Sequence, residues 1–326
     1  MFNQENKKVL FITTKNLDYL RNVQEINLLK REAYSVDVLG YKDKSYIKRL
    51  IKIYIRLLFG SVKKYDTIFI GFAPQLILPF FSFKLRKKTI LMDFFISVYD
   101  TLVFDRKKFK ENSFPAKLCK YLDKKCIHMA DYVISDTSAH GDYFSEEFEV
   151  ERKRINTLYL EADTSIYNKK DYTRPEKLKN KFVVLYFGSI LPLQGVEIIL
   201  EAIDKIENKS DMHFYIIGPL GNNAKKVYDD SVEYIDWLPQ ETLAEYIGYS
   251  DLCLAGHFNK DINKAKRTIP GKAYIYEAMG KPMILGDNPA THELYKEDSK
   301  HIFVEMGDAK KLAEKIAEFK ERYLYE

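Results

Sequence analysis

Cations, a proline–glycine pair and a carboxylate crowd together between Lys264 and Glu293, in the run KAKRTIPGKAYIYEAMGKPMILGDNPATHE. Lys264, Lys266 and Arg267 lead into Pro270-Gly271-Lys272. The pattern predicts a helix with Pro270 at its first position, where a missing N–H costs nothing. Such a start attracts phosphate, because unpaired amides and the helix dipole both favour negative charge. Glu277 follows seven residues later, about 10 Å down the axis at ~1.5 Å per residue. That is about the reach from a diphosphate to the ribose of the same nucleotide, whose hydroxyls a carboxylate can accept. Read this way, Lys264, Arg267, Pro270, Gly271, Lys272 and Glu277 clamp a nucleoside diphosphate. Read plainly, the segment is a βαβ turn with a solvated basic loop. Spacing alone does not separate the two.

A second pattern lies upstream, in VVLYFGSILPLQGVEIILEAI. A run of β-formers ends at Gly188-Ser189, and Gly195 opens an amphipathic helix. Glycine at a strand-to-helix turn lets the backbone approach a ligand closely. Between the two patterns, FYIIGPLG places Gly218 at another strand end, facing the same ligand. One such loop is common in αβ proteins; the combination is more specific.

These loops need a scaffold. Short apolar runs at Val9–Thr13, Val36–Leu39, Thr67–Gly71, Thr89–Met92, Tyr132–Ser135 and Ile155–Leu160 alternate with helical patterns. The second half repeats the style at Phe182–Phe187, His213–Ile217, Val232–Ile235, Leu252–Ala255, Pro282–Leu285 and His301–Val304. Strands alternating with helices predict parallel sheets wrapped by helices. Two sets in series predict two doubly wound domains, residues 1–165 and 166–326. The polar run from Asp163 to Lys181 joins them, and Asp308 to Tyr323 reads as a terminal helix.

The wording G-x-x-x-P-L-x-G-V-E (Gly188 to Glu197) and K-A-x-R-x-I-P-x-K-x-x-x-x-E-A (Lys264 to Ala278) resembles the GT-B glycosyltransferases. The likeness is to the retaining family 4 type, in a bacterial polysaccharide and surface-glycan subgroup. DFFISVYDTLVFDRKKF, Asp93 to Phe109, is similar to that subgroup's acceptor-domain segment. The resemblance implies two Rossmann-like domains with sheets facing across a cleft, acceptor in the first and nucleotide sugar in the second. It implies a terminal helix that packs back on the first domain. Many members carry Arg just after the first glycine and Lys just before the second, where this chain has Ser189 and Gln194. They carry two glutamates seven residues apart; Glu277 matches the second, and Ile269 replaces the first. Lys264, Arg267 and Lys272 are expected to supply the missing charge. Where many members have a histidine after a first-domain strand, this chain has Asp93. A carboxylate there can orient or deprotonate the acceptor hydroxyl, or merely cap a turn. Asp100, Asp105 and Arg106 are expected near the acceptor. Trp237 either lines the base pocket or packs in the core, and His257 is either a substrate contact or an ordinary loop residue.

The implied chemistry is transfer of a hexose-type sugar from a UDP- or GDP-sugar to a glycan or lipid-linked saccharide, in surface polysaccharide or glycoprotein synthesis. Arg267 and Lys272 would stabilise the leaving diphosphate. No cofactor and no metal is expected, since the chain lacks an Asp-x-Asp dyad and the protein's own cations take that place. Two alternatives stay open: a non-catalytic GT-B protein that binds glycan or a partner, and a nucleotide-sugar epimerase.

Composition narrows the field. The 46% hydrophobic and 14% aromatic content supports a folded core and excludes a disordered chain. Cys119, Cys126 and Cys253 lack metal-ligand spacing and read as reduced thiols. Residues 1–164 carry a net +8 and residues 165–326 a net −3, so the first half favours an anionic partner. Nucleic acid is not expected, because no recognition module interleaves the basic residues with aromatics. The run YIKRLIKIYIRLLF, residues 46–59, predicts an amphipathic helix with Lys48, Lys52 and Arg56 on one face and Arg49 beside it. It either packs on its own sheet or lies on an anionic membrane surface. With no leader or spanning run in view, the expected place is the cytoplasm, peripheral to the inner face of the plasma membrane.

Overall fold

A computed structural model describes residues 7–188, 191–221 and 224–325. Ser189 therefore lies outside the described residues. The chain forms two compact units, residues 1–161 and 162–326.

The first unit alternates β1 (Lys8–Ile12), α1 (Leu20–Glu32), β2 (Ser35–Leu39), α2 (Tyr46–Phe59), β3 (Thr67–Ile70), α3 (Leu78–Leu85), β4 (Thr89–Asp93), α4 (Phe114–His128), β5 (Tyr132–Ser135), α5 (Ser138–Phe148) and β6 (Ile155–Thr157). The six strands are parallel in the order β2-β1-β3-β4-β5-β6. Strands buried on both faces need continuous apolar runs, which explains VLFI, TIFI and TILM. Leu10, Ile12, Ile68, Ile70 and Met92 face one core with α2 and α3; Val9, Phe11, Phe69 and Leu91 face the other with α1. The strand order reverses between β1 and β3, and beside that reversal open αβ sheets take ligands, at the strands' carboxyl ends.

The second unit follows the same rule, with β7 (Phe182–Phe187), α6 (Val196–Lys205), β8 (Met212–Ile217), β9 (Val232–Ile235), α7 (Gln240–Tyr249), β10 (Leu252–Gly256), α8 (Gly271–Ala278), β11 (Met283–Gly286), β12 (His301–Val304) and α9 (Ala309–Tyr325). Its order is β12-β11-β10-β7-β8-β9, again parallel. Every expected strand is present, and only the sixth is notably shorter than expected.

Leu312, Ile316 and Phe319 of α9 are buried in the second unit's own core with Ile199, Ile203 and Phe182. The terminal helix thus spends its apolar stripe on its own unit. Helix α2 also does more than pack inward. Ile53 and Leu57 are buried, while Ile47, Ile51, Ile55, Leu58 and Phe59 are exposed. Arg49 leaves the basic face and is buried, donating from Nε to the Thr14 carbonyl at 3.2 Å. No helix among the described residues is long and apolar enough to cross a membrane.

Candidate donor site and a buried ion pair

At the carboxyl ends of β7, β8 and β10 the chain turns on three glycines. Gly218 has φ +130°, and a Cβ there would lie 2.0 Å from the Gly188 carbonyl oxygen. Only a residue without a side chain lets the β7 and β8 loops meet. Gly195, the residue before α6, sits in the left-handed region at φ +69°, with no room for a Cβ against Phe258 and Asn259. Gly218→Ala combines a disfavoured φ with a backbone clash. It is expected to cost about 3 kcal/mol, read as a lower urea midpoint.

Lys272 reaches into this glycine-lined mouth from the first turn of α8. Its side chain is buried, and its ammonium lies 4.6 Å from the centre of the Tyr186 ring. Nζ donates to Gln194 Oε1. A Cβ added to Gly188 or to Gly256 would stand 3.2 Å from Nζ. Among the described residues no carboxylate pairs with it, and burial lowers the Lys272 pKa to about 7. Tyr186 beside it stays neutral, because burial pushes its hydroxyl far up.

The flanking basic loop is wound tightly. Residues 263–266 form a 3-10 turn, and Arg267 N donates to the Lys264 carbonyl at 3.0 Å. Lys264 and Arg267 are both half-buried. His257 is buried and donates from Nδ1 to the Thr268 carbonyl at 2.9 Å. It therefore ties the end of β10 to the loop before α8. Pro270 stands one residue earlier than expected. It is the cap residue, with ψ 131°, and the first helical residue is Gly271. No side chain caps α8.

Glu277 is not brought to Lys272. Five residues separate them, about 7.5 Å along the helix and ~140° around it. Glu277 Oε2 accepts from His301 Nε2 at 2.8 Å, with half of the Glu277 side chain exposed. His301 is level with Met283, Cys253 and Leu185 across the sheet. Gly188 and Gly256 lie three residues beyond that level, about 10 Å away at ~3.3 Å per residue. Trp237 is not a core residue: 74% of it is exposed after β9.

The expected acceptor residues have different surroundings. Asp93, the last residue of β4, is buried, and both its oxygens are taken by Arg21: Nε to Oδ2 at 3.0 Å and Nη2 to Oδ1 at 3.2 Å. It is the buried half of an ion pair, not an open base. Glu25, one turn along α1, is also buried, 3.4 Å from Arg21 Nε. Burial, reinforced by the Asp93 charge, holds the Glu25 pKa well above the carboxylate range. Asp100 is buried too and accepts from the Tyr143 hydroxyl at 2.7 Å. It opens a π-helical turn, Asp100–Asp105, that leaves Asp105 half-buried and Arg106 exposed. Asp123 on α4 anchors this segment, accepting from Gln75, Ser97 Oγ and the amides of Val98 and Tyr99.

Among the described residues no three His, Cys, Asp or Glu side chains cluster as a metal site requires. A cavity of about 760 Å³ lies away from Lys272, between α6 and residues 220, 221 and 224–227. Glu197, Glu201 and Asp204 line it together with Lys225 and Lys226, so it carries no excess of positive charge for a diphosphate.

Comparison with solved structures decides the architecture. Anabaena Alr3699/HepE in complex with UDP superposes with a TM-score of 0.62 at 14% identity, covering 96% of this chain and 90% of that one. Sucrose-phosphate synthase from Thermosynechococcus elongatus gives 0.65 at 13% identity, covering 96% and 89%. The fold is GT-B. Residues 181–321 of this GT-B chain match the model of the family described as glycosyl transferases group 1. That span contains all three glycine loops and α8. A putative UDP-N-acetylglucosamine 2-epimerase from Listeria monocytogenes also shares the GT-B fold, at TM-score 0.51 and 14% identity, over 97% and 88% of the two chains. No curated protein matches the sequence.

Lys272 was legible as a cation. Its pairing with Gln194, 78 residues away, was not. Arg21, the partner of Asp93, was missed entirely, because nothing local marks an arginine 72 residues upstream of its carboxylate.

Proposed function

We propose that this protein is a retaining glycosyltransferase that binds a nucleoside-diphosphate sugar in its second unit. One observation carries the reading: a buried ammonium with no carboxylate partner among the described residues, at the glycine-lined carboxyl edge of a GT-B sheet. A buried cation without a counterion is costly. An anionic ligand that displaces Gln194 relieves that cost. The match of residues 181–321 to glycosyl transferases group 1, and UDP and UDP-glucose bound by a GT-B relative, favour a nucleotide sugar.

The uncapped start of α8, Lys272 and the Lys264–Arg267 turn receive the diphosphate. Lys272 donates to Gln194, the position where many members of the family that the sequence resembles carry a lysine, and so brings a cation to that loop from α8. As the glycosidic bond breaks, charge grows on the leaving diphosphate, and preorganised cations stabilise it without reorganisation. The leaving phosphate can take the acceptor's proton, so no open carboxylate base is needed. This suits an Asp93 already committed to Arg21. Incubation with UDP- and GDP-sugars and candidate saccharides tests the reading. Transfer with the donor's anomeric configuration kept supports it. Binding without any turnover favours a non-catalytic protein, and a 2-epimerised sugar product an epimerase.

The acceptor is a glycan or lipid-linked saccharide reached from the membrane face. The outer stripe of α2 (Ile47, Ile51, Ile55, Leu58) continues onto Phe80 and Phe83 of α3, all exposed. Lys48, Lys52 and Arg56 flank it. Such a surface, apolar and rimmed with cations, suits anionic lipid. Sedimentation with phosphatidylglycerol vesicles at low salt is expected to show binding. Ile51→Glu with Ile55→Glu should weaken it roughly tenfold or more. Equal partition of wild type and double variant contradicts membrane contact.

A further inference from the structure

The first unit carries a feature that neither the donor site nor the membrane face uses. Tyr19, Phe72 and Phe95 come from the loops that follow β1, β3 and β4, and they meet at the carboxyl ends of those strands. The Tyr19 and Phe72 rings are 5.8 Å apart, edge to face, and Phe72 and Phe95 are 6.1 Å apart. All three are half-buried, and none packs in either core of the unit. The Lys15 ammonium stands 5.4 Å from the Tyr19 ring centre and 5.2 Å from that of Phe72. Among the described residues it meets these rings and no carboxylate. Phe95 rests on the Arg21 guanidinium at 5.7 Å, which the buried pair with Asp93 holds in place.

The loops bearing the rings are fixed in advance. Thr13 Oγ1 donates to Asn22 Oδ1 at 3.0 Å, Asn22 Nδ2 donates to the Asn16 carbonyl at 2.7 Å, and Thr14 Oγ1 donates to the Phe72 carbonyl at 3.0 Å. Preorganised half-exposed rings cost little to order when a ligand binds. Aromatic faces suit the C–H side of a pyranose, and a lysine beside them adds attraction for phosphate as a compact, strongly hydrated charge. The place is the strand-order reversal where such sheets take ligands.

We propose that Lys15, Tyr19, Phe72 and Phe95 form a subsite for a sugar phosphate: the rings stack on the sugar and Lys15 pairs with the phosphate. This rests on the glycosyltransferase reading in giving the subsite a role, that of holding a phosphorylated saccharide acceptor. It concerns residues for which that reading assigns nothing. Arg21, Asp93 and Glu25 act as positioning residues beneath it.

The test uses the full chain with Lys272→Met, so that phosphate at the donor site contributes nothing. Saturation-transfer NMR with glucose 1-phosphate and with methyl α-glucoside is expected to show both bound, the phosphate more tightly. Adding Lys15→Met should weaken glucose 1-phosphate about tenfold and leave methyl glucoside unchanged. Adding Phe72→Leu should weaken both at least fivefold, and thermal melting checks that each variant is folded. No saturation transfer to either probe overturns the proposal, as does binding that ignores both substitutions. UDP-glucose binding by the chain with Lys272 intact should not respond to Lys15→Met or Phe72→Leu. Loss of one site's binding therefore leaves the other's standing, and the two readings fail separately.

Discussion

Lys272→Met is expected to lower the affinity for UDP-glucose about 100-fold, or ~2.7 kcal/mol, the scale of a buried charge-assisted hydrogen bond. UDP-glucose is the right probe because its diphosphate does not titrate near neutrality. Burial holds the free Lys272 pKa at about 7, and a bound diphosphate raises it again. Below pH 7 the ammonium is already charged, and affinity should be flat. Above about pH 7 binding must take up a proton, and affinity should fall up to tenfold per pH unit until the bound pKa is reached. Calorimetry in buffers of different ionisation enthalpy reads that uptake directly. Lys272→Arg, which stays charged, should bind with no proton uptake. The free protein has the opposite linkage. Lys272 binds its proton more weakly folded than unfolded, so its burial costs stability at low pH. That cost is relieved as pH rises from about 7 toward the ordinary lysine range.

The second large effect concerns Arg21. Arg21→Ala leaves Asp93 buried and unpaired, and is expected to destabilise the first unit by about 3–5 kcal/mol. Asp93→Asn should cost less, about 1–2 kcal/mol, because Glu25 is a carboxylate in reserve. Burial and the Asp93 charge hold the Glu25 pKa well above the carboxylate range. With that charge gone its pKa should fall, and its carboxylate can pair with Arg21. Wild-type stability should therefore fall as pH rises through and above the unfolded glutamate value, about 4.3, since the folded state retains the Glu25 proton longer. Asp93→Asn should flatten that slope. Urea titrations at several pH values check both. An Asp93→Asn protein with unchanged stability and slope, yet 10²–10⁴-fold slower transfer, restores Asp93 as an open base.

The two sheets were legible because each strand is a short apolar run closed by a polar turn, as in TIFI before Gly71 and VVLYF before Gly188. The glycine loops were legible for the same reason: Gly188 and Gly218 stand where strands stop, and Gly195 where α6 starts. Contacts across loops were not. Lys272 to Gln194 and Arg21 to Asp93 join elements brought together only by the sheet order. Glu277 shows the limit of spacing. The sequence sets it seven residues past Pro270, but its pairing with His301 of β12 was invisible. Helix α2 hid a second apolar face, because a sequence pattern shows how many faces are apolar less clearly than which one the core uses.

The measurement that bears most directly on the whole account is a crystal structure of the protein soaked in UDP. It should place a diphosphate oxygen within about 3 Å of Lys272 Nζ, with Gln194 displaced and Gly188 and Gly218 lining the nucleotide. UDP found instead in the groove between α6 and residues 224–227, with Lys272 still on Gln194, contradicts the donor site.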